Sequence, residues 1–497
     1  MRNFGMAMAR AAASAGLGLL TVGCGEVGPA AGPGREDMAR REARCPLPDP
    51  RIEGQWLQGP ATFEHADSGR SHLFKTIPSP SAQAMSGVEA ADITAIASIP
   101  AVYNVAVTGH AVFALANVTS GHDGTEAFIA RLEPASLRTV WRTELPDDRP
   151  PGAWRYPGVV AVHANGDIYA AQGPYLYRLD PSDGALRGRT ELPTGAADAK
   201  DSAYNGFVAL PGGMLVSKSH HRPSGCTTDG FRAFLDCGVE GAPASVLAVI
   251  DPETMKVVSK AGAPELIGGR ITATRFGGRD YVYAPGVESV HRFEWTDGGL
   301  SYDDVWSPAN YREGRETPAT AVAALGGFVI LQTNALPTAE PTRIIALSQN
   351  DPDERFELTP FPDTTTSMIP SMPSVDTRNG RVFVTDGWAG RTAGLAFDPA
   401  TGFTLEWAVP GGSFSFSALI GPRDDRVLVT SEAIENDGFD YESERLVWRD
   451  ASSGQELLRG PVFARLGGTV IAPGCGGRIY APAARAGKLY ALDFLPR

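Results

Sequence analysis

The chain has 497 residues, 43% of them hydrophobic, and a formal net charge of −13 at pH 7. That charge argues against nucleic acid and against anionic lipid headgroups as partners. With 57 Gly, 39 Pro and few long helical patterns, the composition points to many turns and short strands.

Residues 1–10 carry Arg2 and Arg10 and no acid, and residues 11–23 (AAASAGLGLLTVG) carry no charge. A basic start followed by a short apolar run has the form of a secretory signal. The run is too short to span a bilayer as a helix, which takes roughly 20 residues. It ends in Leu20-Thr21-Val22-Gly23-Cys24. This resembles a bacterial lipoprotein signal, in which small residues precede a Cys that is lipidated after cleavage. Leu is usual three positions before that Cys, where Thr21 stands here. The alternative is an ordinary secretory signal with an incidental Cys. The resemblance implies lipidation of Cys24 and, with Gly25 next, the outer membrane facing the periplasm. Cleavage would leave a mature chain near −15, because residues 1–23 hold two Arg and no acid. Residues 24–50 are rich in Gly, Pro, Ala and charge and read as a flexible tether. Residues 51–99 are expected to close the fold from the N-terminal side, and 100–497 to form its body. No later segment reaches 18 uninterrupted apolar residues, so no membrane helix is expected.

Five Cys are present. With Cys24 set aside, Cys45, Cys226, Cys237 and Cys475 remain, an even number in an oxidising compartment. Three pairings exist. Cys226 with Cys237, close in one loop, is preferred, leaving Cys45 with Cys475. The alternative for each is a free buried thiol. No zinc spacing occurs.

From about residue 100 one pattern recurs. An apolar strand meets a turn, a second strand follows, then a variable loop, a third strand, an acid with turn residues, and a fourth strand. Residues 158–193, 373–410, 418–460 and 467–496 are instances. Their hairpin turns are Asn165-Gly166, Asn379-Gly380, Asp424-Asp425 and Gly476-Gly477. Asn-Gly and Gly-Gly supply the positive φ of tight hairpins. The acid after the third strand stands at Glu133, Asp180, Asp251, Asp398 and Asp450, where an Asp can bind the backbone ahead and fix the turn. Units begin near residues 102, 158, 205, 270, 318, 371, 416 and 467. A small four-stranded sheet cannot bury both faces alone, so neighbours must stack and the ring must close. The expected fold is all-β: one β-propeller of about eight four-stranded blades, with seven as the alternative. The last unit ends at Arg497 after three strands. Its fourth is expected from His72–Ile77.

The units Ile168-Tyr169-Ala170 with Leu176–Asp180, and Ile479-Tyr480-Ala481 with Leu489–Asp493, resemble those of the PQQ-like propeller family, the quinoprotein alcohol-dehydrogenase-like fold. Asp398–Trp407 (DPATGFTLEW) carries that family's Asp-x-x-x-Gly turn and outer-strand Trp. The resemblance spans roughly 100–497. It implies enzymes that use a quinone cofactor, but also non-catalytic assembly lipoproteins.

In a propeller, the loops after each second strand and before each first strand share one face around the channel. The second-strand ends are polar: Ser217-Lys218-Ser219-His220-His221-Arg222, Gln332-Thr333-Asn334, Asp386-Gly387-Trp388 and Ser431-Glu432. Tyr204-Asn205-Gly206 begins an inner strand. Catalytic candidates are therefore Lys218, His220, His221, Asn334, Asp386 and Glu432, and cofactor candidates Asn205, Gln332 and Trp388. Wet, polar loops are the plainer account of any one of them. His220 and His221 are adjacent on a strand and should face opposite ways. His110, His163, His221 and His291 recur near the blade period, but two of them sit at hairpin turns, so a four-His metal site is not expected. Glu432, Glu435, Asp437, Asp440 and Glu442 crowd one loop. Glu435, Asp437 and Asp440 are weak Ca²⁺ candidates, against the plainer reading of a solvated acidic loop.

The alcohol dehydrogenases of this family carry adjacent cysteines beside the cofactor, and no Cys-Cys occurs here. Haem-binding Cys-x-x-Cys-His and the Gly-x-Ser-x-Gly elbow are absent too. The first functional reading is thus a cell-envelope lipoprotein whose propeller binds an envelope protein or small molecule. The alternative is a periplasmic enzyme: a quinone (PQQ)- or Ca²⁺-dependent oxidoreductase, or a lactonase or hydrolase.

Overall fold

In the computed structural model the described residues are 55–75, 80–85, 87–117, 126–239, 241–314, 316–335, 341–364, 371–434 and 441–496. Eight four-stranded antiparallel meanders stand in a ring: 105–144, 159–191, 202–262, 272–302, 322–358, 374–410, 418–459, and 472–496 completed by Val88–Ser98. These are blades one to eight. The innermost strands are short apolar runs buried at every residue, as in Val105–Val107, Val159–Val162 and Ser202–Ala209. The outermost strands alternate, as in Lys256–Gly262, because one face packs inward and the other meets water.

The turn acids do the work expected of them. Asp398 Oδ1 accepts from the N–H groups of Ala400 and Thr401 at 2.8 and 3.1 Å, and Asp251 Oδ1 from Glu253 and Thr254 at 2.8 and 3.2 Å. Four residues after the acid the backbone turns left-handed, with φ of +76° at Gly184 and +72° at Gly454. Both glycines also meet the preceding blade. A Cβ on Gly454 would stand 2.6 Å from the Trp407 ring, and one on Gly184 would stand 2.6 Å from Trp141. Each of these Trp rings also donates Nε1–H to a carbonyl of the following blade, Trp141 to Pro181 at 3.3 Å and Trp407 to Ala451 at 3.2 Å. The Asp-x-x-x-Gly turn is therefore half of a blade-to-blade fastening. Blades one and three tolerate Leu137 and Met255 at the same position, both at φ +56°.

The ring does not close as the sequence suggested. The fourth strand of blade eight is Val88–Ser98, paired antiparallel with Lys488–Pro496, not His72–Ile77. Residues 76–77 lie outside the described set, and His72 lies in the central channel.

Residues 55–75 fill that channel. An innermost strand has one edge without a strand neighbour, which leaves its N–H and C=O groups facing the axis. Seven of the eight innermost strands donate an N–H to this segment. Val107 donates to Ala61 O (2.7 Å), Val162 to Thr62 O (2.8 Å) and Ala209 to Ser68 Oγ (3.1 Å). Ala273 then donates to Ser68 O, Ala324 to Gly69 O, Val375 to Ser71 O and Leu419 to His72 O, each at 2.9 Å. From Ser68 to His72 the segment steps past blades three to seven in order. That tight path puts Ala66, Arg70 and His72 at φ of +72°, +56° and +59°, a strain that surrounding bonds must hold. Trp56 anchors the start, stacked on Phe63 at 4.2 Å and donating Nε1–H to Ser68 Oγ at 3.1 Å. The result is a ring with a plug.

Candidate functional site

All eight innermost strands run the same way along the channel, so their entry ends share one face. The plug bonds to them further along. Between the entry ends and the plug lies a cavity of about 290 Å³. Its wall comes from loops entering the innermost strands, including Tyr103, Tyr156, Arg270 and Phe416. Its roof is the insertion of blade three, whose Phe231, Phe234 and Val239 face the cavity. Cys226 and Cys237 are bonded and staple this insertion, which carries the short helix Arg232–Cys237. Phe234, Ala233 and Cys226 pack against Trp154, while Phe231 and Leu235 reach Phe414, Tyr441 and Trp388 of the far rim. The insertion is thus a strap across the mouth.

Arg270 joins the cavity wall to a buried ionic cluster on the plug. Glu64 Oε1 accepts from Arg70 Nη1 at 2.8 Å, and Glu64 Oε2 lies 3.4 Å from Arg270 Nε. Burial alone would raise the Glu64 pKa. The charges of Arg270 and Arg70 outweigh it and hold the carboxyl well below the usual range. Arg70 Nε also donates to Ile271 O at 2.6 Å, which ties plug to blade four. Beside this triad, His72 Nδ1 lies 2.8 Å from Ser417 O, and His72 Nε2 lies 2.8 Å from His65 Nδ1. A carbonyl only accepts, so His72 carries its proton on Nδ1 and His65 donates to it. Burial pushes His72 down to about 4 and His65 well below its ordinary value, so both rings are neutral at pH 7.

The residues singled out from sequence divide into three groups. Asn205 and Asn334 line the cavity. Asn205 sits at an irregularity in blade three, where register shifts between Tyr204 and Phe207 and Gly206 comes within reach of Glu64, Arg70 and Arg270.

The second group does not line the cavity: Lys218, His220, His221, Asp386 and Gln332 are buried behind its wall, and Trp388 and Glu432 are half-buried. Lys218 Nζ donates to Ile267 O at 2.6 Å and lies 3.0 Å from His220 Nδ1. Burial, then the charges of Arg270 and Arg70, push its pKa far down. His220 is packed among Trp154, Tyr156 and Phe234. His221 faces the other way, with Nδ1 2.9 Å from Ser202 Oγ and Nε2 2.8 Å from Ser219 Oγ. Asp386 accepts from the N–H groups of Trp388 and Ala389 and shapes a turn. Gln332 Nε2 bonds Thr342 and Thr385 between blades five and six. Trp388 packs with Phe414 and Tyr441, and Glu432 pairs with Arg445 and Arg459.

The third group, Glu435, Asp437, Asp440, Cys24 and Cys45, lies outside the described residues. Cys475 is disulfide-bonded, to a partner also outside them.

Sequence reasoning passed over Glu64, Arg70, Arg270, Tyr103 and the aromatic wall. A dense run of charged residues and histidines in FEHADSGRSH, with no strand alternation, was the available signal for the first two.

A calcium-held quinone of the kind the resemblance implies needs several oxygen ligands around the ion. Among the described residues Asp229 is the one carboxylate lining the cavity, and its Oδ1 accepts from Arg155 N–H at 3.0 Å. No three His, Cys, Asp or Glu among them stand close enough to hold a metal. The described residues do not fit that group. No helix among them is long and apolar enough to cross a membrane.

Comparison of the sequence with family models and with curated proteins finds no match. Among solved structures the chain is similar to the quinohemoprotein alcohol dehydrogenase of Comamonas testosteroni, with a TM-score of 0.55 and 12% identity over 91% of this chain and 83% of that one. It is similar to the quinohemoprotein alcohol dehydrogenase ADHIIG of Pseudomonas putida HK5, with a TM-score of 0.55 and 10% identity over 93% and 82%. It is also similar to the Dos1 propeller, with a TM-score of 0.53 and 11% identity over 81% and 95%. At such identities the likeness concerns the fold: the chain is an eight-bladed β-propeller.

Proposed function

We propose that this chain is a cell-envelope lipoprotein, tethered through Cys24, whose plugged propeller serves as a binding module that holds a small molecule beneath its strap. One observation carries the reading. The cavity is roofed and aromatic, with Arg270 in its wall, while the catalytic candidates Lys218, His220 and His221 are bonded to one another or to neighbours behind that wall. Such a cup can hold a ligand out of reach of those three side chains. The enzyme reading has one support of its own, the fold shared with alcohol dehydrogenases.

Native mass spectrometry with metal analysis on residues 45–497 purified from the periplasm separates the two. The binding reading predicts an organic adduct, with a mass unchanged by added PQQ and Ca²⁺. Stoichiometric Ca²⁺ with a quinone would replace it with the oxidoreductase.

A further inference from the structure

We infer that the cavity is a site for a small aromatic monocarboxylate carrying one hydrogen-bond donor on its ring. This rests on reading the cavity as a ligand site, and specifies what the ligand must be.

The charge comes first. Glu64 is shared by Arg70 and Arg270, while His65, His72 and Lys218 all shift toward their neutral forms. Of these charged groups Arg270 is the one that lines the cavity, and it is little screened by water. Asp229 is the one carboxylate among the described lining residues, and it is carried on the strap. A guanidinium buried in the wall favours an anionic group beside it.

Two polar atoms at the cavity lack a hydrogen-bond partner, Tyr103 OH and Asn205 Oδ1, while Arg270 Nε faces Glu64 Oε2 at 3.4 Å. The two residues are 8% and 3% exposed. A buried polar atom left unsatisfied costs about 1–3 kcal/mol, so such a set points to groups a ligand would supply. A carboxylate accepts from the Arg270 guanidinium and the Tyr103 hydroxyl. Asn205 Oδ1 only accepts, so it calls for an O–H or N–H.

The remaining wall is aromatic: Tyr156, Phe231, Phe234, Phe414 and Phe416. Rings stack on or meet a planar apolar body at low entropic cost. The volume, about 290 Å³, sits at the small end of ligand pockets, which run from roughly 300 to 1,000 Å³. One ring and one acid group suit it.

The test is isothermal titration of residues 45–497, stripped of endogenous ligand by unfolding and refolding, with native mass spectrometry of the unstripped protein in parallel. Probes are 3- and 4-hydroxybenzoate, benzoate and 4-hydroxybenzamide. At least one hydroxybenzoate is expected to bind, tenfold or more tighter than benzoate and than the neutral amide. Arg270→Gln should abolish that preference for the acid. Because Arg270 also pairs with the buried Glu64, Asn205→Asp is the second variant. It is nearly isosteric, places a carboxylate in the cavity, and should weaken acid binding tenfold or more with the fold intact. Equal affinity for acid and amide would overturn the charge assignment while leaving a ligand site. Binding of none of the acids would also overturn it. An endogenous ligand of different chemistry in the unstripped protein would then preserve the binding-module reading, and an apo mass would remove both.

Discussion

Glu64→Leu is expected to lower the unfolding free energy by about 3–5 kcal/mol, the range for breaking a buried ion pair from one side. Glu64 is fully buried, and its loss strands Arg70 and Arg270 without a counter-charge. The damage should spread, because Arg70 holds the plug to blade four through Ile271 O. Glu64→Gln keeps the shape and one acceptor, so its loss should be smaller. Adding Arg70→Met to Glu64→Leu should restore part of the stability, since one stranded charge is removed with its partner. Urea denaturation of the three variants checks the order. A loss below about 1 kcal/mol for Glu64→Leu would mean that the cluster is solvated and that the channel is not sealed.

Acid should destabilise the protein steeply between pH 7 and 5, before ordinary carboxylates titrate. His72 and His221 are held down to about 4 by burial, and unfolding returns each to roughly 6.5. Between those values the unfolded chain binds more protons, so stability falls as pH falls. At pH 5 the loss is about 2 kcal/mol for each of the two, from the ordinary conversion of pKa difference to free energy. His65 and His220 shift the same way and add to it. Glu64 acts lower down. Its depressed pKa contributes stability above the usual carboxylate range, which is lost only as pH drops through and below that range. Urea midpoints at pH 7, 6 and 5 give the slope. His221→Asn should flatten it by about one proton, and an unchanged slope in that variant would contradict the assignment.

The ring was legible in the sequence because it is periodic. Eight units repeat an apolar inner strand and a hairpin turn, five of them add an acid-led turn, and each repetition reinforces the others. All eight expected starts lie within a few residues of an innermost strand. The plug was not legible, for the opposite reason. Residues 55–75 occur once, show no alternation, and make their bonds to strands far away in the chain. Glu64, Arg70, His65 and His72 look in the sequence like a solvated loop, and only their convergence in the channel buries them. The closing strand was misplaced on similar grounds. His72–Ile77 has a plausible strand composition, but Val88–Ser98 can pair along the whole of Lys488–Pro496.

The candidate site followed the same division. The face was foreseeable from propeller geometry, and Asn205 and Asn334 do reach the cavity. Lys218, His220 and His221 drew attention by residue type. Strand alternation put His220 and His221 on opposite faces, but burial behind the wall is a tertiary property that no local pattern carries. Arg270, which brings a cation to the cavity wall, comes from a loop, and its partner Glu64 comes from the plug.

The central claim is that residues 55–75 seal the channel. Amide hydrogen exchange tests it most directly, at Val107, Val162, Ala273, Ala324, Val375 and Leu419. Each of these N–H groups bonds to the plug and would face water in an open channel. The account predicts protection at all six close to that of the blade cores, opening together when Glu64 is replaced. Rapid exchange at these six amides beside protected second strands would show an open channel and contradict it.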